Sequence, residues 1–169
     1  MIYQLTHAAS LKALNNLGKV LQKGAAHAEA RKFDVEVLLH SRLAPDQFNL
    51  IKQVQIACDT AKLAGVRLTG KPAPAHDDSE KSLPELQARI QDTLKYLNSL
   101  SEADYQGAEA KQVTTPRWEG KWLSGLDYAQ WHVLPNLYFH VTTAYSILRH
   151  NGVDVGKKDY LGELPFQGK

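Results

Sequence analysis

The chain has one cysteine and one methionine, no basic run longer than Lys157-Lys158, and no long unbroken apolar run. Each shortage closes off a class of protein. Cys58 has no partner within the chain, so a disulfide-stapled scaffold is excluded. Clustered Lys and Arg are what displace counterions from a nucleic acid, and without them no nucleic-acid partner is expected. No segment approaches the roughly 18 apolar residues that a membrane-spanning helix needs. The opening Met1-Ile2-Tyr3-Gln4-Leu5-Thr6-His7 lacks the basic start and unbroken apolar run of a secretory signal, so the expectation is a cytoplasmic protein with no membrane partner.

What is present is ordinary globular material. Apolar residues make up 43% of the 169 and charged residues 22%, with 20 basic and 18 acidic side chains scattered along the chain for a net charge of +2. A chain of this length buries roughly two-thirds of its unfolded surface around one core, so residues 1–169 read as a single domain.

Helical periodicity dominates. Ser10, Ala13, Leu14, Leu17, Val20, Leu21 and Gly24 recur at three- and four-residue spacing, predicting a first helix that fades near Gly24. Residues 26–45 read as a linker holding a short helix over 34–40, and Pro45-Asp46 is a start signal for helix two. Phe48, Ile51, Val54, Cys58, Ala61 and Leu68 form its stripe, decaying at Gly65 and Gly70. Cys58 on that stripe reads as a small buried hydrophobe. Two prolines make Gly70 to Asp78 an extended connection.

Ser82 and Glu85 have capping-box spacing, which starts helix three, and Leu86, Ile90, Leu94 and Leu97 carry it to about Leu100. Val113 to Trp122 reads as a short hairpin or ordered loop. Ser124 and Asp127 repeat the capping pattern before helix four, Leu126 to His150, which Pro135 must kink or restart and Asn151-Gly152 ends. Val153 to Lys169 is a tail held over the bundle by Tyr160, Leu161 and Phe166.

Four long helices and little strand signal predict an all-α four-helix bundle. The connection between helices two and three, roughly 15 residues, spans about 50 Å when extended. That exceeds the roughly 30 Å length of a 20-residue helix, so those two helices can run parallel, up-down-down-up, with long connections.

Along helix four, His132, Asn136, His140 and Ala144 stand at four-residue steps and share a face. Histidines one turn apart can chelate one ion, but here Asn136 lies between two that are about 12 Å apart. Trp118, Trp122, Trp131, Tyr138 and Tyr145 serve as core and cover, as a pocket lining, or as a dimer face.

The run His140-Val141-Thr142-Thr143-Ala144-Tyr145-Ser146-Ile147-Leu148-Arg149-His150-Asn151-Gly152 resembles the last-helix motif of the DinB-like superfamily, a histidine followed by Leu148, Arg149 and Gly152. Pro135 to His140, Gly156 to Gly162 and Arg42-Leu43-Ala44-Pro45-Asp46 are similar to a bacterial branch of it known as a domain of unknown function. The resemblance implies a bundle with helices two and three parallel. It also implies a divalent metal such as zinc, nickel or manganese on three histidines, and transfer of small groups to low-molecular-weight thiols. Carried over by residue, His140 takes the place of the second histidine of the last-helix pair, Asn136 that of the first, and Thr143 that of a glutamine. The helix-two ligand falls near Gln55, with Asp59 one turn on.

Three readings stand. One is a small-molecule pocket between helices two and four, lined by His140, Asn136, Gln55, Asp59 and Tyr145, on a degenerate metal site. Another is a divergent metal-dependent thiol S-transferase using His140, with Asp59 and Asn136 oxygens. The last is a non-catalytic homodimerising module. For His140 itself, the plain alternative is a core histidine satisfied by Gln55, Asp59 or a carbonyl.

Overall fold

The structure, a computed structural model, describes residues 1–168. A π-helical turn, Tyr3–Ala8, runs into α1, Ala9–Arg31. The short α2, Glu36–His40, leads to α3, Leu50–Thr69, and an extended strap crosses to α4, Leu83–Asn98. Strands β1, Gln112–Val113, and β2, Leu123–Ser124, pair antiparallel with Gln112 opposite Ser124. The helical turn α5, Gly125–Asp127, passes through a π-helical segment, Tyr128–Val133, into α6, Leu134–His150, and α7 is Lys157–Leu161. Among the described residues no helix is long and apolar enough to cross a membrane.

Side-chain pairings give the helix directions. Asp59 meets Arg89, and a Cβ on Gly65 would touch Tyr96, so α3 and α4 run parallel. Gln53 meets His140 and Arg67 meets Tyr128, so α3 and α6 are antiparallel. Gly24 faces Leu148 while Ala9 shares a cavity wall with Tyr138, so α1 runs with α6. The bundle is therefore up-down-down-up. Its core is one continuous apolar cluster centred on Leu14, Leu17, Leu50, Val54, Leu86, Ile90, Leu137 and Ile147.

The helix boundaries correct several expectations. Helix α1 passes Gly24 and continues to Arg31, because the Ala-rich segment after it consists of strong helix formers. Gly24 is there for close packing: a Cβ would lie 3.0 Å from Leu148. Gly65 has the same role against Tyr96, at 2.9 Å. The α1 helix ends where Lys32 turns left-handed at φ 57°. Helix α3 begins at Leu50, later than Pro45-Asp46 suggested, where the Asn49 side chain accepts from the Lys52 amide at 3.1 Å. Phe48 therefore lies before the helix and is exposed.

The capping signals elsewhere locate their helices. The Glu85 carboxylate accepts from the Ser82 amide at 2.9 Å, and the Asp127 amide donates to Ser124 Oγ at 3.1 Å. Pro135 is absorbed by the π-helical segment ahead of it. The Leu134 amide reaches back five residues to the Ala129 carbonyl, and the helix restarts with proline in its first turn, where a missing donor costs little. The tail is held differently from expectation. Val153 and Val155 are buried and Tyr160 is half-buried, whereas Leu161 is marginally exposed and Phe166 is 84% exposed. Lys169 lies outside the described residues.

Candidate functional site

The residues read as one pocket lie on three different fronts. His140 and Asn136 face α3 from α6. Gln55 and Asp59 leave α3 on the side of α4 and the strap. Tyr145 packs edge-to-face on Tyr160, ring centroids 6.0 Å apart, and its hydroxyl donates to the Val155 carbonyl at 3.4 Å.

His140 is buried, and its partner is Gln53 rather than Gln55 or Asp59: Nδ1 lies 2.7 Å from Gln53 Oε1. The protons can be assigned from the network. Gln53 Nε2 donates to the Phe48 carbonyl at 3.0 Å, which leaves Oε1 as an acceptor. His140 must therefore carry its proton on Nδ1. Burial holds the ring below the ordinary histidine value of 6.5, so at neutral pH it is uncharged and Nε2 keeps a free lone pair. Nε2 has no protein partner and is not a buried orphan atom, so solvent reaches it. Phe139 crosses the His140 ring edge-to-face at 5.2 Å and is itself exposed.

One turn earlier, Asn136 Nδ2 donates to Thr60 Oγ1 at 2.7 Å, while Thr60 spends its own proton on the Ile56 carbonyl, also at 2.7 Å. The Asn136 amide oxygen is left as a second acceptor without a protein donor. Thr143, at the superfamily's glutamine position, commits its hydroxyl to the Phe139 carbonyl. The site thus consists of two neutral acceptors one helical turn apart, each oriented by a hydrogen bond from behind.

The other side of α3 is ionic. Arg89 is almost fully buried, with Nη1 2.8 Å from Asp78 and 2.9 Å from Glu80, and Nη2 2.8 Å from Asp59 without hydrogen-bond alignment. Its Nε has no partner. Gln55 donates to Glu80 at 2.8 Å, and Lys62 lies 3.1 Å from Asp59 and 2.9 Å from His76 Nδ1. Burial pushes the Glu80 and Asp78 carboxyls up. Hydrogen bonds outweigh it and leave both below their ordinary values, chiefly from Arg89 on Glu80 and from Lys52 and Arg89 on Asp78. These ion pairs and hydrogen bonds pin the strap to α3 and α4 and engage Gln55 and Asp59 on that side. Burial raises the Cys58 thiol to about 12, which leaves no thiolate at neutral pH.

Spacing held part of what the sequence reading missed. Gln53 and Thr60, two helical turns apart on one face of α3, are the polar residues that meet His140 and Asn136 of the antiparallel α6. Arg89 sits beside the apolar stripe of α4, where a charge must find partners.

The donor set around His140 does not fit the metal of the three-histidine pattern. It offers one imidazole with carboxamide and hydroxyl oxygens, while Asp59 is occupied across the helix. Among the described residues no three of His, Cys, Asp and Glu are grouped to hold an ion.

The bundle, its parallel α3 and α4 and its last-helix histidine define the chain as a DinB-like helical protein. The chain belongs to the family described as "Domain of unknown function (DUF1993)", whose model matches residues 2–161. It is similar to a solved structure, a DinB family member protein from Shewanella denitrificans. The two are 57% identical with a TM-score of 0.96, over 100% of this chain and 96% of that one. No curated protein matches.

The histidines set a pH dependence. Burial lowers His7, His76, His132 and His140 below 6.5, so the unfolded chain takes up protons before the folded one. Stability contributed by their neutral forms is complete above about 6.5 and is lost as pH falls from there through the lower folded values. Denaturant unfolding is expected to give a plateau above that point and a decline below it, with a shallower decline for His140→Gln. Rising stability on acidification would contradict the burial account.

Proposed function

We propose that this DinB-like domain binds a small hydrogen-bond-donating molecule between α3 and α6, at His140 Nε2 and Asn136 Oδ1, without a metal. One observation supports this most: a hydrogen bond from behind holds each of the two side chains, His140 through Nδ1 to Gln53 and Asn136 through Nδ2 to Thr60, which leaves His140 Nε2 and Asn136 Oδ1 as oriented, uncharged acceptors. Such a pair favours a ligand carrying two N–H, O–H or S–H groups, because a ligand without them leaves both acceptors unpaired. Exposed Phe139 beside His140 offers an apolar surface for the ligand's carbon body. Binding of this kind needs no reaction. The divergent thiol transferase would instead need a metal held by His140 with oxygen ligands.

Ethanolamine and 2-mercaptoethanol are suitable probes, with tetramethylammonium as a control that has no donor. The expected result is that the donors shift the His140 ring and Asn136 side-chain NMR signals in the wild type, that tetramethylammonium does not, and that His140→Ala abolishes Asn136's response. Equal responses to all probes, or none, would sink the reading. Stoichiometric zinc, nickel or manganese found by elemental analysis and abolished by His140→Ala would overturn the metal-free site and favour the transferase.

We also propose that the chain forms a homodimer through the exposed face shared by the π-helical segment and the start of α6. Trp131 is 74% and Phe139 56% exposed, with Pro135 between them on the same helix face. Aromatic residues of this kind are enriched in interface cores. Sedimentation should show a concentration-dependent dimer that Trp131→Lys weakens by about tenfold or more. A wild type that stays monomeric at high concentration would refute the interface.

A further inference from the structure

A cavity lies away from His140, between α1, α6 and α7. Its volume is about 430 Å³. Ala9 and Ala13, one turn apart on α1, are too short to fill the space facing Tyr138 and Val141 of α6, and Leu161 of α7 closes one end. The size lies within the usual range of small-molecule sites. At roughly 30 Å³ each, the share of a water molecule in the liquid, it holds on the order of a dozen non-hydrogen atoms.

The walls are preformed. Asn16 Nδ2 donates to the Tyr160 carbonyl at 3.0 Å, Thr142 donates to the Tyr160 hydroxyl at 3.0 Å, and Lys23 pairs with Asp159 at 2.7 Å. Together they clamp the five-residue α7 over α1 and α6. A Cβ at position 162 would lie 2.5 Å from Asn16, so Gly162 permits the clamp. Leu161 also borders a second hollow with Leu164 and Phe166, and the apolar trough extends toward the tail.

The charge at the rim is one-sided. Lys12 borders the cavity and has no acidic partner among the described residues, whereas the neighbouring Asp159 is taken up by Lys23. Glu163 stands at the second hollow, beyond Leu161. An apolar slot with a free ammonium at its mouth is complementary to a molecule with a hydrocarbon body and one anionic head.

We propose that the α1–α6–α7 trough binds a straight-chain aliphatic carboxylate of about ten carbons, its chain along Ala9, Ala13, Val141 and Leu161 and its carboxylate at Lys12. This site is separate from the His140 pair and stands whether or not that pair binds a donor.

The test uses decanoate itself. Calorimetry should give one molecule per chain, with octanoate about tenfold weaker because two buried methylenes are lost. Ala13→Phe should abolish binding, and Lys12→Glu should weaken decanoate about tenfold while leaving 1-decanol unchanged. Lys95→Glu, an exposed charge change on α4, should alter neither. Should Ala13→Phe not fold, decanoate-induced shifts of the Ala9, Ala13 and Val141 methyl signals in the wild type decide the location. No saturable binding, shifts elsewhere, or equal effects of Lys12→Glu and Lys95→Glu would overturn the proposal. It would equally fail if Ala13→Phe left decanoate binding intact and instead broke a dimer, which would assign the trough to a second copy of the chain.

Discussion

Helix α3 is buried on nearly every side yet carries Gln53, Gln55, Thr60 and Lys62 at buried positions. Leaving any one without a partner would cost roughly 1–3 kcal/mol, a large share of a domain's net stability. Each must therefore find a specific group on a neighbour, and those pairings fix the arrangement of the bundle. Gln53 with His140 and Thr60 with Asn136 hold α6 antiparallel in one register. Gln55 with Glu80 and Asp59 with Arg89 hold the strap and a parallel α4 in another. Apolar packing alone would tolerate a slipped helix. These pairs do not.

The two sides of α3 settle the same constraint with different chemistry. Toward α4 the solution is ionic: a buried guanidinium gathers three carboxylates, and its orphaned Nε shows that the network serves geometry more than maximal stability. Its charges are spent on each other, which leaves little for a ligand. Toward α6 the solution is neutral, and each pair leaves an outward acceptor. Where the superfamily pattern has histidines and a metal, this chain has hydrogen bonds that orient a single imidazole. The function proposed here follows from that exchange.

Much of the architecture was legible because it rests on local signals. The stripe of α4 and the Ser82 and Ser124 starts follow from periodicity and capping, the length of the 70–82 connection permits the up-down-down-up order, and the family resemblance implies it. The interruption at Pro135 was legible as a break, though its form as a π-helical segment depends on how the carbonyls ahead of it repack. Two of the misread boundaries share a cause. Gly24 and Gly65 look like helix ends in sequence, but both are contact glycines whose purpose appears only when Leu148 and Tyr96 arrive from other helices. The site was partly legible: His140 and Asn136 stood out by position, whereas choosing Gln53 over Gln55 required the rotation of α3. On the other side of α3, Asp59 meets Arg89, which the sequence reading did not single out.

The central claim is that Gln53 holds His140 as a neutral ring with its proton on Nδ1 and a bare lone pair on Nε2. Nitrogen-15 NMR of the imidazole at neutral pH reads this directly. The account predicts a protonated Nδ1 and an unprotonated Nε2 in the folded wild type, with that preference lost in Gln53→Leu. A ring protonated on Nε2, or charged on both nitrogens at neutral pH, would contradict it.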